Sequence, residues 1–310
     1  MTTRQFGVDL GGTKTELIVL DENGTQLFRQ RIATPSHSYV AILDTICRLV
    51  RLAERCVGPA EALGIGAPGT PDGNEGRIKN ANTTCLIGQP LALDLAKKLD
   101  IPVAIENDAN CLALSEAMDG AAAGAHSVFG VILGTGVGGA LVVNGQLING
   151  PNRITGEWGH MPLPRMKTDP VALHGHRRCY CGLDDCVETY LSGQGLSVTY
   201  QRLRSTDFTP TSAQEIASKA KSGDARAQRA MSDYVDQLAA SLAVVINIVD
   251  PDIIVFGGGL SQIANLCDHL HTRLVNNVFS PDVRTKLVTA MHGDSSGVRG
   301  AAWLTKNLAR

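Results

Sequence analysis

The sequence predicts an α/β fold of two lobes, and three observations carry that expectation. At 310 residues the chain exceeds one average domain. It is 44% hydrophobic, with 33 glycines and only 4% aromatic residues, which fits an α/β enzyme and excludes a disordered or fibrous chain. It also contains an internal echo, FGVDLGGTKTELIVLDENG from Phe6 and FGVILGTGVGGALVVNG from Phe129. Each reads as strand, glycine turn and strand, closed by an Asn-Gly turn at Asn23-Gly24 or Asn144-Gly145. The shared FGVxLG points to two lobes on one plan. Chance likeness of two glycine hairpins is the plain alternative.

The remaining elements follow in chain order. Tyr39, Ile42, Leu43, Ile46, Leu49 and Ala53 recur at helical spacing after the first hairpin. IPVAIENDANCLALSEAM reads as a short strand, Val103 to Glu106, and a helix from about Ala109. Gly120 to Val143 contains no Lys, Arg, Asp or Glu, a length that can span a membrane. Its seven glycines, with His126, Ser127 and Thr135, favour buried strands and a tight turn. Thr206 to Asp224 is the most polar and loop-like stretch. Met231, Tyr234, Val235, Leu238, Leu242 and Ile246 mark another helix. PDIIVFGGGLSQIANLCDHL reads as a buried strand, a turn at Gly257, Gly258 and Gly259, and a helix.

Charge and targeting narrow the function classes. Lys plus Arg number 28 against 30 acids, so no overall basic charge calls for nucleic acid or an anionic membrane. The start, MTTRQFGVDLGG, has an acid at Asp9 and no apolar run of signal-peptide length. A soluble cytoplasmic protein is expected.

GTGVGG, Gly134 to Gly139, satisfies the dinucleotide fingerprint, but that fingerprint needs a helix after the turn. The following ALVVNGQLI is β-branched and ends in a hairpin turn, so the Rossmann reading fails on context. A glycine hairpin still cradles phosphate, because its N–H groups point inward and no side chain blocks approach. Gly11, Gly12, Thr13 and Lys14 then suit terminal phosphates on one side, with Thr135, Gly136 and Gly138 of the second hairpin on the other. The triple glycine, Gly257 to Gly259, lets backbone approach a flat or charged ligand. Asp9, just before the first turn, can orient magnesium through water or simply stabilise the turn.

RRCYCGLDDCVETY places Cys179, Cys181 and Cys186 within eight positions. A disulfide is improbable in a reducing compartment, and CYC is not the CxxC of redox pairs. Three thiolates need one more ligand for tetrahedral zinc, and imidazole is the common complement. His160, His174 and His176 are all within reach in sequence, and spacing does not choose among them.

DLGGTKT, the ENDAN segment, GTGVGG, TGEWGHMPLP with CYCGLDDCVE, and VFGGGLS occur here in the order of ROK-family sugar kinases, which the chain resembles over nearly its whole length. KNANTTCLIGQP and HGDSSGVRGAAWL look most like bacterial fructokinases of the manno(fructo)kinase type. ITGEWGHM and YLSGQG are similar to N-acetylglucosamine kinases of that family. The resemblance implies an actin-like, hexokinase-like two-lobe fold around an ATP cleft. One lobe would run over residues 1–118, completed by a helix at 294–310, and the other over 119–293. It implies ATP- and magnesium-dependent phosphorylation of a hexose, with fructose first, mannose as a further substrate, and N-acetylglucosamine or glucose as the alternative. Asp108 matches the family's catalytic base. Asn82, Asn107, Glu157, His160 and Glu188 match sugar-contacting positions. His160, Cys179, Cys181 and Cys186 match the ligands of a structural zinc.

Asp185 departs from the family pattern, since many relatives have glycine before the last cysteine. Read from the residues alone, Asn107 or Asp108 serves equally well as the cap of the helix that follows. Homodimers are common among such kinases, so a homodimer is expected. The rival class is a non-catalytic sugar sensor or regulator. Regulators in the family carry an N-terminal helix-turn-helix domain, for which a hairpin starting at Phe6 leaves no room.

Overall fold

The computed structural model describes residues 3–72, 76–79, 81, 83–164, 175–203 and 210–308. Asn82 and His174 lie outside the described residues. The elements begin with β1 (Gln5–Leu10), β2 (Lys14–Leu20), β3 (Gln26–Ala33), α1 (Tyr39–Val57) and β4 (Leu63–Gly66). Two short strands, β5 (Thr70–Pro71) and β6 (Ile78–Lys79), precede α2 (Leu91–Leu99), β7 (Val103–Glu106) and α3 (Asp108–Met118). Then come β8 (Ser127–Leu133), β9 (Val137–Val143), β10 (Gln146–Leu147), α4 (Glu188–Leu191), α5 (Gly193–Arg202) and α6 (Ala213–Lys221). The chain ends with α7 (Ala225–Val249), β11 (Ile253–Gly257), α8 (Leu266–Leu274), β12 (Lys286–Thr289) and α9 (Ser296–Leu304).

Two five-stranded sheets share one plan, β3-β2-β1-β4-β7 and β10-β9-β8-β11-β12. In the first, β1 and β2 pair antiparallel, as do β2 and β3, while β4 joins β1 and β7 joins β4 in parallel. In the second, β10 is antiparallel to β9, and β11 is parallel to both β8 and β12. The FGVxLG echo is therefore a structural duplication. The α-carbon trace divides into two compact units, Met1–Gly124 with Leu141–Thr155 and Ala290–Arg310, and Ala125–Ala140 with Gly156–Thr289.

In the first unit α1 buries Ile42, Ile46, Leu49 and Val50 against Phe6, Val8, Leu17 and Val19 of the sheet. Removing each such aliphatic side chain from water contributes roughly 1.5–3 kcal/mol. Ser38 caps α1 by accepting from the Ala41 N–H at 3.3 Å. The C-terminal α9 packs on α3 and β1 through Val298, Ala301 and Ala302. Glu116 of α3 ties it there, accepting from the N–H groups of Met291 and His292 and from the Ser296 hydroxyl, at 2.9, 3.0 and 2.9 Å.

In the second unit α7 buries Tyr234, Leu238, Leu242 and Ile246, and the Tyr234 hydroxyl donates to the Leu191 carbonyl at 3.1 Å. This is the one described helix long and apolar enough to cross a membrane, and 61% of its apolar window is buried within the protein. Part of the expected loop at Thr206 to Asp224 is helix instead. Ser212 and Glu215 form a reciprocal capping box for α6, and Ile216 is buried beneath it. The helix expected after Gly257 to Gly259 starts late, because a 3-10 turn, Gly259–Gln262, comes first.

Candidate active site

The turn between β1 and β2 is fixed by its own backbone. Gly11 N–H donates to the Lys14 carbonyl at 2.9 Å, and Thr34 on the β3 side bonds both arms. Its hydroxyl reaches the Gly11 carbonyl at 2.7 Å, and its N–H reaches the Thr13 carbonyl at 3.0 Å. Gly12, Thr13 and Lys14 stay exposed, as a phosphate cradle requires. Asp9, at the end of β1, is pushed up to about 6 by burial and then by the charges of Glu16 and Asp108. Glu16 is its cross-strand partner. Burial raises Glu16 too, but Arg29 and Arg31 more than offset that and hold it below the usual carboxylate range. The uncompensated carboxyl of this pair is Asp9, which suits a group awaiting a cation.

At the end of β7 the sequence ENDAN divides its labour. Asn107 is the N-cap of α3, its side-chain oxygen accepting from the Asn110 N–H at 2.8 Å. Asp108 is the first helical residue, so the cap does not depend on it. One Asp108 oxygen accepts from the Ala109 N–H at 2.9 Å. Its carboxyl reaches solvent, yet protein crowds it, and that burial pushes its pKa up with only partial relief from backbone N–H groups. An accessible carboxylate with a raised pKa is what a general base needs. Glu106, absent from the expected site, is buried and accepts from the Asn110 and Asn149 side chains at 2.6 and 2.7 Å.

The second hairpin closes in the same way, with the Gly134 N–H donating to the Gly136 carbonyl at 3.0 Å. Gly193 N–H, at the start of α5, donates to the Gly134 carbonyl at 2.8 Å. A cavity of about 690 Å³ opens beside this turn, lined by Gly134, Thr135, Gly193, Ser212, Gln214 and Gly259 among others. Two helix N-termini, those of α5 and α6, meet it, an arrangement that favours an anionic ligand. Of the triple glycine only Gly259 lines the cavity. Gly257 ends β11 as a buried residue, and Gly258 turns the chain at φ 81° over the Leu133 carbonyl. Gly138 serves the next loop, its carbonyl accepting from the Trp158 indole at 2.9 Å. A further cavity of about 790 Å³, along α1 and β3, contains none of the expected residues.

The cysteine loop gathers four donors. One ligand atom each from His160, Cys179, Cys181 and Cys186 lies within 4.8 Å of all the others. Cys181 and Cys186 sulfurs are 3.6 Å apart, and Cys179 sulfur is 3.6 Å from His160 Nδ1. Tetrahedral zinc with bonds of about 2.3 Å has ligand separations of about 3.7 Å, so the donor set fits. Hydrogen bonds, first from the Leu183 N–H, lower the Cys181 thiol to about 7, while burial raises Cys179 and Cys186. At this spacing all three thiols would ionise together only beside a cation. His176 is elsewhere engaged, with Nδ1 2.6 Å from Asp185 Oδ2, so His160 completes the cluster among the described residues.

Asp185 adopts φ 57°, the left-handed conformation that glycine takes easily. Its side chain supplies the compensation, accepting from the Arg177 N–H at 2.9 Å and from the Tyr190 hydroxyl at 2.8 Å. Arg177 also escaped the sequence reading. It is buried over the Tyr190 ring, bonds carbonyls of Thr189 and Gly195, and is lowered to about 10 chiefly by burial.

Glu157 and Glu188 both lie beside this loop in the second unit. Glu188 starts α4, and one of its oxygens accepts from the Val137 N–H of the second hairpin at 2.9 Å. A Cβ at Gly136 would stand 2.7 Å from that carboxylate, so glycine there keeps the contact open. Glu157 precedes a 3-10 turn, Trp158–His160, whose last residue belongs to the four-residue cluster. Tyr180, between two cysteines, donates or accepts at His160 Nε2 over 2.9 Å and lies edge-on to its ring.

Residues 5–308 match the profile of the ROK family. The chain is 42% identical to N-acetyl-D-glucosamine kinase of Shigella flexneri over 303 residues, covering 96% of this chain and 98% of that one. Its fold is similar to that of a ROK hexokinase from Thermus thermophilus, with TM-score 0.86, 29% identity and 99% of each chain covered. A ROK family glucokinase from Streptomyces griseus, solved with glucose and AMPPNP, gives TM-score 0.72 and 28% identity, covering 99% of this chain and 100% of that one.

Proposed function

The chain belongs to the ROK family and is a sugar kinase, and from that premise we propose that it passes the γ-phosphoryl group of ATP to a hydroxyl of N-acetyl-D-glucosamine. The observation that carries the mechanism is Asp108, a solvent-reaching carboxyl with a raised pKa that Asn107 relieves of capping. Asp108 takes the proton of the acceptor hydroxyl, the freed oxygen bonds the γ-phosphorus, and ADP leaves with the electrons of the broken P–O bond. Gly11 to Lys14 and Thr135 with Gly136 hold phosphate oxygens by backbone N–H and the Thr and Lys side chains. Asp9 is the group that would orient magnesium, which supplies charge neutralisation on the phosphates when bound. Asn107, Glu157, His160 and Glu188 bind the sugar, as does Asn82. Zinc would be held by His160, Cys179, Cys181 and Cys186 and would stiffen the loop carrying Tyr180 and Glu188.

Fructose is the second reading, favoured by KNANTTCLIGQP and HGDSSGVRGAAWL, with mannose as its companion. The two readings differ in a few hydroxyl contacts, which set such selectivity. A coupled assay over N-acetyl-D-glucosamine, fructose, mannose and glucose decides between them. The sugar with the highest kcat/KM names the activity, and ATP turnover indifferent to every sugar would return the chain to the sensor class. The reading places the protein in the cytoplasm as a homodimer, which sedimentation of the purified chain checks.

A further inference from the structure

We propose that the cavity along α1 and β3 is a second ligand site, one that takes a small anion carrying more than one phosphate group. It encloses about 790 Å³, within the range of small-molecule sites, and no residue proposed for ATP, sugar or zinc lines it. Arg48, Arg51, Arg55 and Lys98 line it beside the buried Cys47 and Leu49. Asp44, the one acid of its lining, is held by the Lys98 ammonium at 2.9 Å. The guanidinium charges of Arg48, Arg51 and Arg55 are left without an anion.

Those guanidiniums stand apart from others in the protein. Arg29 and Arg31 pair with Glu16, Arg273 with Asp236, and Arg299 with Asp119. Among the described residues, nothing forms an ion pair or a hydrogen bond with the side chain of Arg48, Arg51 or Arg55. Arg55 has another explanation, because it lies in the last turn of α1, where the helix dipole favours a cation. Arg48 and Arg51 lie further from that end, and the dipole does not account for them. Unbroken helix over Tyr39–Val57 puts positions 48, 51 and 55 on one face, spread over about 10 Å of its axis. A lone phosphate is too short for that row. A di- or triphosphate has both the length and the charge, and guanidiniums grip phosphate oxygens two at a time. Cys47 and Leu49 add an apolar surface for the body that carries the phosphates.

Calorimetry with inorganic tripolyphosphate on the full chain tests the site, comparing wild type with Arg48→Gln/Arg51→Gln. The phosphate turns can take this probe as well, so the readout is the difference between the two proteins. The double variant should bind it about tenfold more weakly at the cavity, as removal of charge-assisted hydrogen bonds implies. Its urea midpoint, kcat and KM for ATP should match wild type, because both side chains are exposed and neither belongs to the proposed active site. ADP and fructose bisphosphate, titrated in the same way, tell a nucleoside from a sugar as the carrier of the phosphates. The one whose affinity falls in the variant is the class bound. Identical tripolyphosphate isotherms for the two proteins overturn the site. Inorganic phosphate bound by wild type as tightly as tripolyphosphate overturns the requirement for more than one phosphate group.

Discussion

The Glu106 carboxylate accepts a hydrogen bond from the Asn149 side chain at 2.7 Å and stands 3.6 Å from the Arg153 guanidinium. Its other oxygen holds Asn110 of α3 at 2.6 Å. One buried acid thus joins the strand end bearing Asn107 and Asp108 to the segment that runs on to Gly156 and Glu157. Arg153 adopts φ 53°, an unfavourable conformation for a non-glycine residue that the ion pair helps to hold. Glu106→Ala leaves two side-chain amides without their acceptor, and each such loss costs about 1–3 kcal/mol. The expected result is a lower urea midpoint and a sugar KM raised severalfold, with KM for ATP unchanged. Glu106→Gln should recover part of the stability, because its amide oxygen still accepts from Asn149. Equal stability and sugar KM in Glu106→Ala and wild type would show the network to be idle.

Asp108 and Asn107 separate by mutation, because Asn107 caps α3 while Asp108, which does not, is the proposed base. Asp108→Asn should lower kcat by about 10²–10⁴, the usual cost of losing a general base. Sugar and ATP binding should stay within a few-fold, and thermal stability should barely change. Asn107→Ala should do the reverse to stability, losing about 0.5–2 kcal/mol as the cap disappears. Single-turnover phosphorylation with denaturation curves on both variants checks the pair. Turnover by Asp108→Asn within tenfold of wild type would remove it from the chemistry.

Much of this was legible in the chain because it is local. FGVDLGG, FGVILGTG and the Asn-Gly turns encode strand and turn geometry within a few residues, and both hairpins formed as expected. The role of Asp185 was not legible, since its left-handed backbone is compensated by the Arg177 N–H and Tyr190, eight and five residues away. Nor was Glu106, whose partner Asn149 lies 43 positions along the chain. The capping box at Ser212 and Glu215 was readable, but the polar run around it concealed the helix it starts. Spacing left His160, His174 and His176 open; the family resemblance chose His160, and it is His160 that the fold brings to the three cysteines.

Asp9 gives a prediction in pH. Its folded pKa, about 6, lies above the ordinary value of 3.8, so between those values the native state binds more protons than the unfolded one. Stability carried by this group is present below pH 4 and is lost as pH rises through about 6. Integrated over the shift, the loss is on the order of 3 kcal/mol. Asp9→Asn removes that titration. The variant should match wild type near pH 4 in urea denaturation and exceed it at pH 8, in metal-free buffer. It should also lose magnesium-dependent turnover, because the carboxylate that would orient the cation is gone. A stability difference independent of pH would assign the Asp9 side chain a purely local role.

The loop around Asp185 offers the closing test, because two substitutions pull apart its backbone and side-chain roles. Wild-type protein should carry about one zinc per chain, as a closed four-ligand site requires. Asp185→Gly keeps access to φ 57° but abandons His176, the Arg177 N–H and the Tyr190 hydroxyl. Asp185→Ala abandons the same bonds and adds left-handed strain of about 1–2 kcal/mol. Zinc should therefore be withdrawn by a chelator faster from the glycine variant than from wild type, and fastest from the alanine variant. Restoring glycine alone does not restore the loop if the bonds matter. Chelation of Asp185→Gly at the wild-type rate would show that backbone conformation suffices, and that the side chain of Asp185 merely fills the place of a glycine.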